Sequence, residues 1–93
     1  MQIRYFGAAK AASGVEEETF SADGTDGLSA GASLDDLLEF LGARHSEAPA
    51  DTPPLKSVIS RSTFLVNGYA ARDRSLTLDP GDTVDILPPF AGG

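Results

Sequence analysis

The sequence contains no cysteine. Disulfides, thiolate-bound metals, iron–sulfur clusters and cysteine nucleophiles are excluded at once. It has one histidine, His45, so no second imidazole is available for a metal cluster and no metal ligands are assigned. No apolar run approaches the roughly 18 to 20 residues that span a bilayer. The start, Met1-Gln2-Ile3-Arg4, passes straight into a strand pattern and lacks the charged-then-apolar layout of a secretory leader. The expectation is a cytoplasmic protein without membrane contact. Positive charge is scarce as well: seven Lys and Arg stand against fourteen Asp and Glu, a formal net charge of −7. Phosphate backbones attract Lys and Arg, so a nucleic-acid partner is disfavoured. A basic protein surface suits this chain better.

What is present suffices for one small domain. The chain has 93 residues, 41% of them hydrophobic, which is enough for a single core. Gln2 to Phe6 reads as a strand with Ile3 and Tyr5 on one face and Gln2, Arg4 and Phe6 on the other. Gly7 to Gly14 is a connection with room for a brief turn. Val15 to Ser21 follows as a second strand, and so short a link makes an antiparallel hairpin the simplest arrangement. Asp23 to Ala32, rich in Gly, Asp and Ser and without a period, is a surface loop.

Ser33 opens the one convincing helix. Its hydroxyl can cap the first turn, and Asp35 and Asp36 suit the positive helix end. Leu34, Leu37, Leu38 and Leu41 then recur as one apolar stripe, which is core material. His45 falls in the last turn, where it reads as a capping or solvated residue. Ser46 to Pro54 is a proline-rich loop, tucked onto the body by Leu55, Val58 and Ile59 through a short helical turn. Thr63 to Val66 is a strand, Asn67-Gly68 a tight turn, and Tyr69 to Ala71 a short return strand. Leu76 and Leu78 anchor the next connection, Pro80-Gly81-Asp82 turns it, and Thr83 to Leu87 is the last strand. On that strand Val84 and Ile86 face one way and Thr83, Asp85 and Leu87 the other.

This order implies an α+β fold: a mixed sheet of four to five strands, with one main helix on one face and the other face left to solvent. A long crossover carries the helix, so the first and last strands can pair in parallel. That arrangement is the ubiquitin-like β-grasp. It puts Phe6 and Leu87 side by side on the solvent face, as an apolar docking spot.

The chain closes on Pro88-Pro89-Phe90-Ala91-Gly92-Gly93. Two prolines withhold their N–H donors and end regular pairing, leaving a body of 1–87 and a flexible tail of 88–93. Bulk then shrinks to bare backbone. Such a tail can thread a channel too narrow for a Cβ: Phe90, Ala91 and Gly92 would line the passage and Gly93 would deliver its carboxylate. No side chains form a nucleophile–base pair, so no catalytic residue is assigned to this chain.

Three stretches, Ile3-Arg4-Tyr5-Phe6-Gly7, Phe64-Leu65-Val66-Asn67-Gly68 and Leu78 through Gly93, resemble the MoaD/ThiS sulfur-carrier family. The Gly-Asp turn combined with the Pro-Pro-x-x-Gly-Gly ending is the specific part. Loops 23–32 and 46–54 are long for that family. The resemblance implies that an E1-like adenylating enzyme of the MoeB/ThiF type uses ATP to adenylate Gly93, whose carboxylate then becomes a thiocarboxylate. It implies no permanently bound cofactor. The partner receiving the sulfur would be a molybdopterin synthase large subunit of the MoaE type, with this chain as its non-catalytic small subunit in molybdenum cofactor biosynthesis. The other readings are a carrier for thiamine or cysteine biosynthesis, a ubiquitin-like protein modifier, and a β-grasp interaction module with an idle tail.

Overall fold

The computed structural model describes residues 1–89. Its elements run β1 (Gln2–Tyr5), α1 (Ala8–Ser13), β2 (Glu17–Thr19), α2 (Leu34–Arg44), α3 (Leu55–Ile59), β3 (Thr63–Val66), β4 (Tyr69–Ala70) and β5 (Thr83–Leu87). The five strands form one sheet in the order β2-β1-β5-β3-β4. All pairings are antiparallel except one: β1 and β5 lie parallel, with Ile3 opposite Val84 and Tyr5 opposite Ile86. Chain order, strand order and the single parallel pair are those of the ubiquitin-like β-grasp, as the sequence pattern implies.

The period-2 reading of the strands holds. Ile3, Tyr5, Val84, Ile86 and Phe64 are buried beneath the helices, with Ile3, Val84 and Ile86 at 0% exposure. Onto them α2 lays Leu34, Leu37, Leu38 and Leu41, and α3 adds Leu55, Val58 and Ile59. The expected turn at Gly7–Gly14 is a six-residue helix, α1, which buries Ala9 and Ala12. Its small, nearly uniform side chains give no amphipathic signal. It is delimited instead by Gly14, a left-handed C-cap whose N–H donates to the Lys10 carbonyl at 2.8 Å.

The start of α2 shows how local chemistry sets a boundary. Ser33 Oγ accepts from the Asp36 N–H at 3.1 Å, and Asp36 Oδ2 accepts from the Ser33 N–H at 3.1 Å, a reciprocal capping box. The β4–β5 connection grips the same turn, through Leu34 N–H to the Leu76 carbonyl and Asp35 N–H to the Arg74 carbonyl, both at 2.8 Å. That connection is anchored by one leucine, not two: Leu78 is buried, whereas Leu76 is 42% exposed. Two turns frame β5. Asn67 and Gly68, both at positive φ, close the β3–β4 hairpin. Asn67 also reaches across to Asp82 Oδ1 and to the Thr83 N–H.

Edge strand β2 is shorter than its pattern suggested, three residues in place of seven. Glu18 of this strand points beneath the sheet, where its carboxylate accepts from Tyr5 Oη at 2.7 Å, from Arg44 Nε at 2.9 Å and from His45 Nε2. His45 does occupy the C-cap position of α2, but its side chain is only 14% exposed and pairs with Glu18 instead of water. Burial pushes the Glu18 pKa up, yet the three hydrogen bonds and the nearby positive charge outweigh it and hold the carboxyl below its ordinary value.

Two outcomes follow from this packing. Ser33→Ala should cost about 1 kcal/mol of stability by opening the capping box, read by denaturant unfolding. A carboxylate depressed in the folded state contributes stability above its ordinary value of about 4.3, lost as the pH falls through the folded value. Glu18→Gln should therefore lower stability by about 1–2 kcal/mol at neutral pH. The difference in melting temperature from the native chain should close as the pH falls below the ordinary carboxylate range and Glu18 is protonated.

Candidate docking face and tail root

One helical layer cannot cover both sides of a sheet, and here the uncovered side carries the candidate site. Strand register places Glu17, Arg4, Asp85, Leu65 and Ala70 in one row across all five strands. In the adjoining row Leu87 stands opposite Thr63, and Phe6 lies beside it, its N–H donating to the Ile86 carbonyl at 3.3 Å. Phe6 is 40% exposed, and Leu87 and Leu65 are half-buried. The two residues expected to dock a partner thus lie together on the open face. Pro88, the root of the tail, follows directly on Leu87.

The centre of the face differs from expectation. A polar Asp85 among solvated neighbours is what the alternation of β5 suggests, but Asp85 is only 4% exposed. Arg4 covers it. The guanidinium binds the carboxylate through both oxygens, Nε to Oδ1 at 2.6 Å and Nη2 to Oδ2 at 2.7 Å. The Arg4 side chain, 46% exposed, spreads over the sheet with its guanidinium carbon 5.9 Å from the centre of the Phe6 ring. The hydrogen bond and charge of Asp85, with a lesser contribution from Glu17, raise the Arg4 pKa further above its already basic value. Sequence reasoning placed both residues on this face but gave neither a role in the site. The signal was present, an Arg and an Asp at facing positions of strands expected to be parallel neighbours, but nothing in one dimension says that such a pair closes.

The expected tail-threading residues Phe90, Ala91 and Gly92 and the sulfur-carrying Gly93 lie outside the described residues. Among the described residues no group of three or more His, Asp or Glu is placed to hold a metal. No described helix is long and apolar enough to cross a membrane.

Comparison with known proteins agrees with this geometry. No curated protein sequence matches the chain. Among solved structures, a candidate molybdopterin converting factor, subunit 1, from Pyrococcus furiosus superposes with a TM-score of 0.68 at 24% identity, covering 96% of this chain and 95% of that one. Two structures of small archaeal modifier protein 1 from Haloferax volcanii give TM-scores of 0.68 and 0.66 at 22% and 21% identity. The first covers 100% of this chain and 98% of its own, the second 97% of each. These likenesses establish the fold.

A surface pair and a core residue should separate cleanly. Phe6→Ala should change stability by less than about 0.5 kcal/mol, whereas Ile3→Ala should cost about 2–5 kcal/mol, both read by chemical unfolding. The ThiS family model matches residues 3–93, nearly the whole sequence and its Gly-Gly ending included, and the chain belongs to the ThiS family.

Proposed function

We propose that this protein is a sulfur carrier whose C-terminal Gly93 is the chemically active group. The supporting observation is family membership that extends through residue 93, with the Pro-Pro-x-x-Gly-Gly segment set directly on β5, at the centre of the sheet. An E1-like enzyme of the MoeB/ThiF type would present ATP to the Gly93 carboxylate. The carboxylate oxygen attacks the α-phosphorus, pyrophosphate leaves, and a sulfide-level sulfur donor then attacks the acyl carbon and displaces AMP, leaving a thiocarboxylate. This chain contributes no general acid or base to those steps. It supplies an unhindered carboxylate and a face that holds the enzyme.

The acceptor we favour is the large subunit of a molybdopterin synthase, of the MoaE type, with this chain as the small subunit. The Pro-Pro-Phe-Ala-Gly-Gly ending and the chain length favour it over carriers of the thiamine and cysteine routes. A ubiquitin-like modifier has the same fold and the same need for adenylation, and differs only in the acceptor, a lysine amine in place of a sulfur-accepting substrate.

Incubation with the E1-like enzyme, ATP and a sulfur donor should replace one terminal oxygen by sulfur, seen as a gain in intact mass. Removal of Gly93, or its replacement by a bulky residue, should abolish loading or delivery. Lysine-linked conjugates in cell extracts that vanish without Gly93 would establish the modifier reading instead. An unchanged mass together with no effect of the deletion would leave only a non-covalent interaction module.

A further inference from the structure

The Arg4–Asp85 pair is an odd occupant of an apolar docking spot. A surface ion pair contributes little to stability. Desolvating a carboxylate as far as Asp85 is desolvated has a cost that an apolar pair would avoid. What the arrangement does supply is geometry. A guanidinium has five N–H donors, and Asp85 engages two of them, Nε–H and one on Nη2. Among the described residues, no acceptor takes the three that remain, both on Nη1 and the second on Nη2. The fork is oriented by the carboxylate beneath it, and the Phe6 ring lies beside it. Three donors are thereby held in one plane, beside Phe6, Leu65 and Leu87 and close to the root of the tail.

We propose that the Arg4–Asp85 pair recognises the E1-like enzyme at the open face, by requiring that enzyme to bring main-chain carbonyl oxygens onto Arg4 beside the apolar Phe6, Leu65 and Leu87. The inference rests on the carrier reading and specifies which partner surface that reading needs. Charge decides the class of acceptor. Arg4 is already neutralised by Asp85, Glu17 stands next to it in the same row, and the whole chain carries a net charge of −7. A carboxylate from the partner would meet a negative field, whereas a peptide carbonyl carries no net charge and satisfies the same donors. A partner offering only apolar surface would bury three unsatisfied N–H groups, which is how a fixed polar group rejects wrong partners. Asp85 is a positioning residue, and Arg4 makes the contact.

The test exploits the tolerance of ion pairs for apolar replacement. The double variant Arg4→Leu, Asp85→Ala removes both charges together, so no lone charge is left buried and the melting temperature should stay within a few degrees of native. Its affinity for the E1-like enzyme of the same organism, measured by titration, should fall at least about tenfold. Arg4→Lys keeps the charge over Asp85 but loses the planar fork, and should fall in the same direction. It keeps the question answerable should the double variant fail to fold. The ratio of native to variant affinity should stay constant between about 0.05 and 0.5 M salt, since a neutral acceptor is not screened. Affinities of both variants within about twofold of native would overturn the inference. A ratio that collapses in high salt would overturn the carbonyl assignment in favour of a carboxylate. Native-like affinity of both variants, with the native chain loaded, overturns this inference alone. Failure of the native chain to be loaded overturns the carrier reading and this inference with it.

Discussion

The parallel pairing of β1 with β5 is the constraint on which the rest of the structure depends. These strands come from opposite ends of the sequence, so forming them requires closing nearly the whole chain into one loop. The four-residue register from Gln2–Thr83 to Tyr5–Ile86 then orients both strands at once. Below the sheet it collects Ile3, Tyr5, Val84 and Ile86, the floor on which α2 and α3 rest. Above the sheet it collects Arg4, Phe6, Asp85 and Leu87. A slip of one residue would exchange the two sets, burying Arg4 in the core and exposing Ile3. The core and the open face are therefore two consequences of one register.

The same pairing fixes where the tail starts. β5 is central, flanked by β1 and β3. Pro88 and Pro89 then withhold the N–H groups that would prolong either ladder. A segment that leaves the middle of a sheet has its origin held from both sides. The distance from the open sheet face to the start of the tail is correspondingly fixed, which suits the proposed delivery of Gly93 to another protein.

The periphery is held by different chemistry. Edge strand β2 has only three ladder residues, too few to stay in place by backbone pairing alone. Glu18 fastens it to the end of α2 through Arg44 and His45 and to the sheet through Tyr5. Each group in that cluster satisfies another, so a largely buried carboxylate carries no unmatched charge. Charged side chains and a short edge also discourage pairing with stray strands. At the other edge β4 is shorter still, and the Asn67 side chain ties its hairpin to the start of β5.

Much of this was legible in the residues alone. Alternation predicted both faces of β1 and β5, and the leucine stripe with its Ser33 cap predicted α2. Asn67-Gly68 marked the hairpin, and the terminal motif marked the family. These features depend on neighbours a few positions apart, through backbone geometry that one sequence expresses directly. The sequence by itself thereby determined the β-grasp, the apolar spot of Phe6 and Leu87, and the family. Other features escaped it. Helix α1 is set by two glycine boundaries and by burial of alanines, which carry too little hydrophobic contrast to show a period. Leu76 and Leu78 look alike in sequence and differ only in which one the connection turns inward. The Glu18–His45–Arg44–Tyr5 cluster and the Arg4–Asp85 pair join groups up to 81 positions apart. A charged residue on a strand is equally consistent with water and with a partner. Only the tertiary structure decided between them, because only strand register brings two such side chains within hydrogen-bond distance.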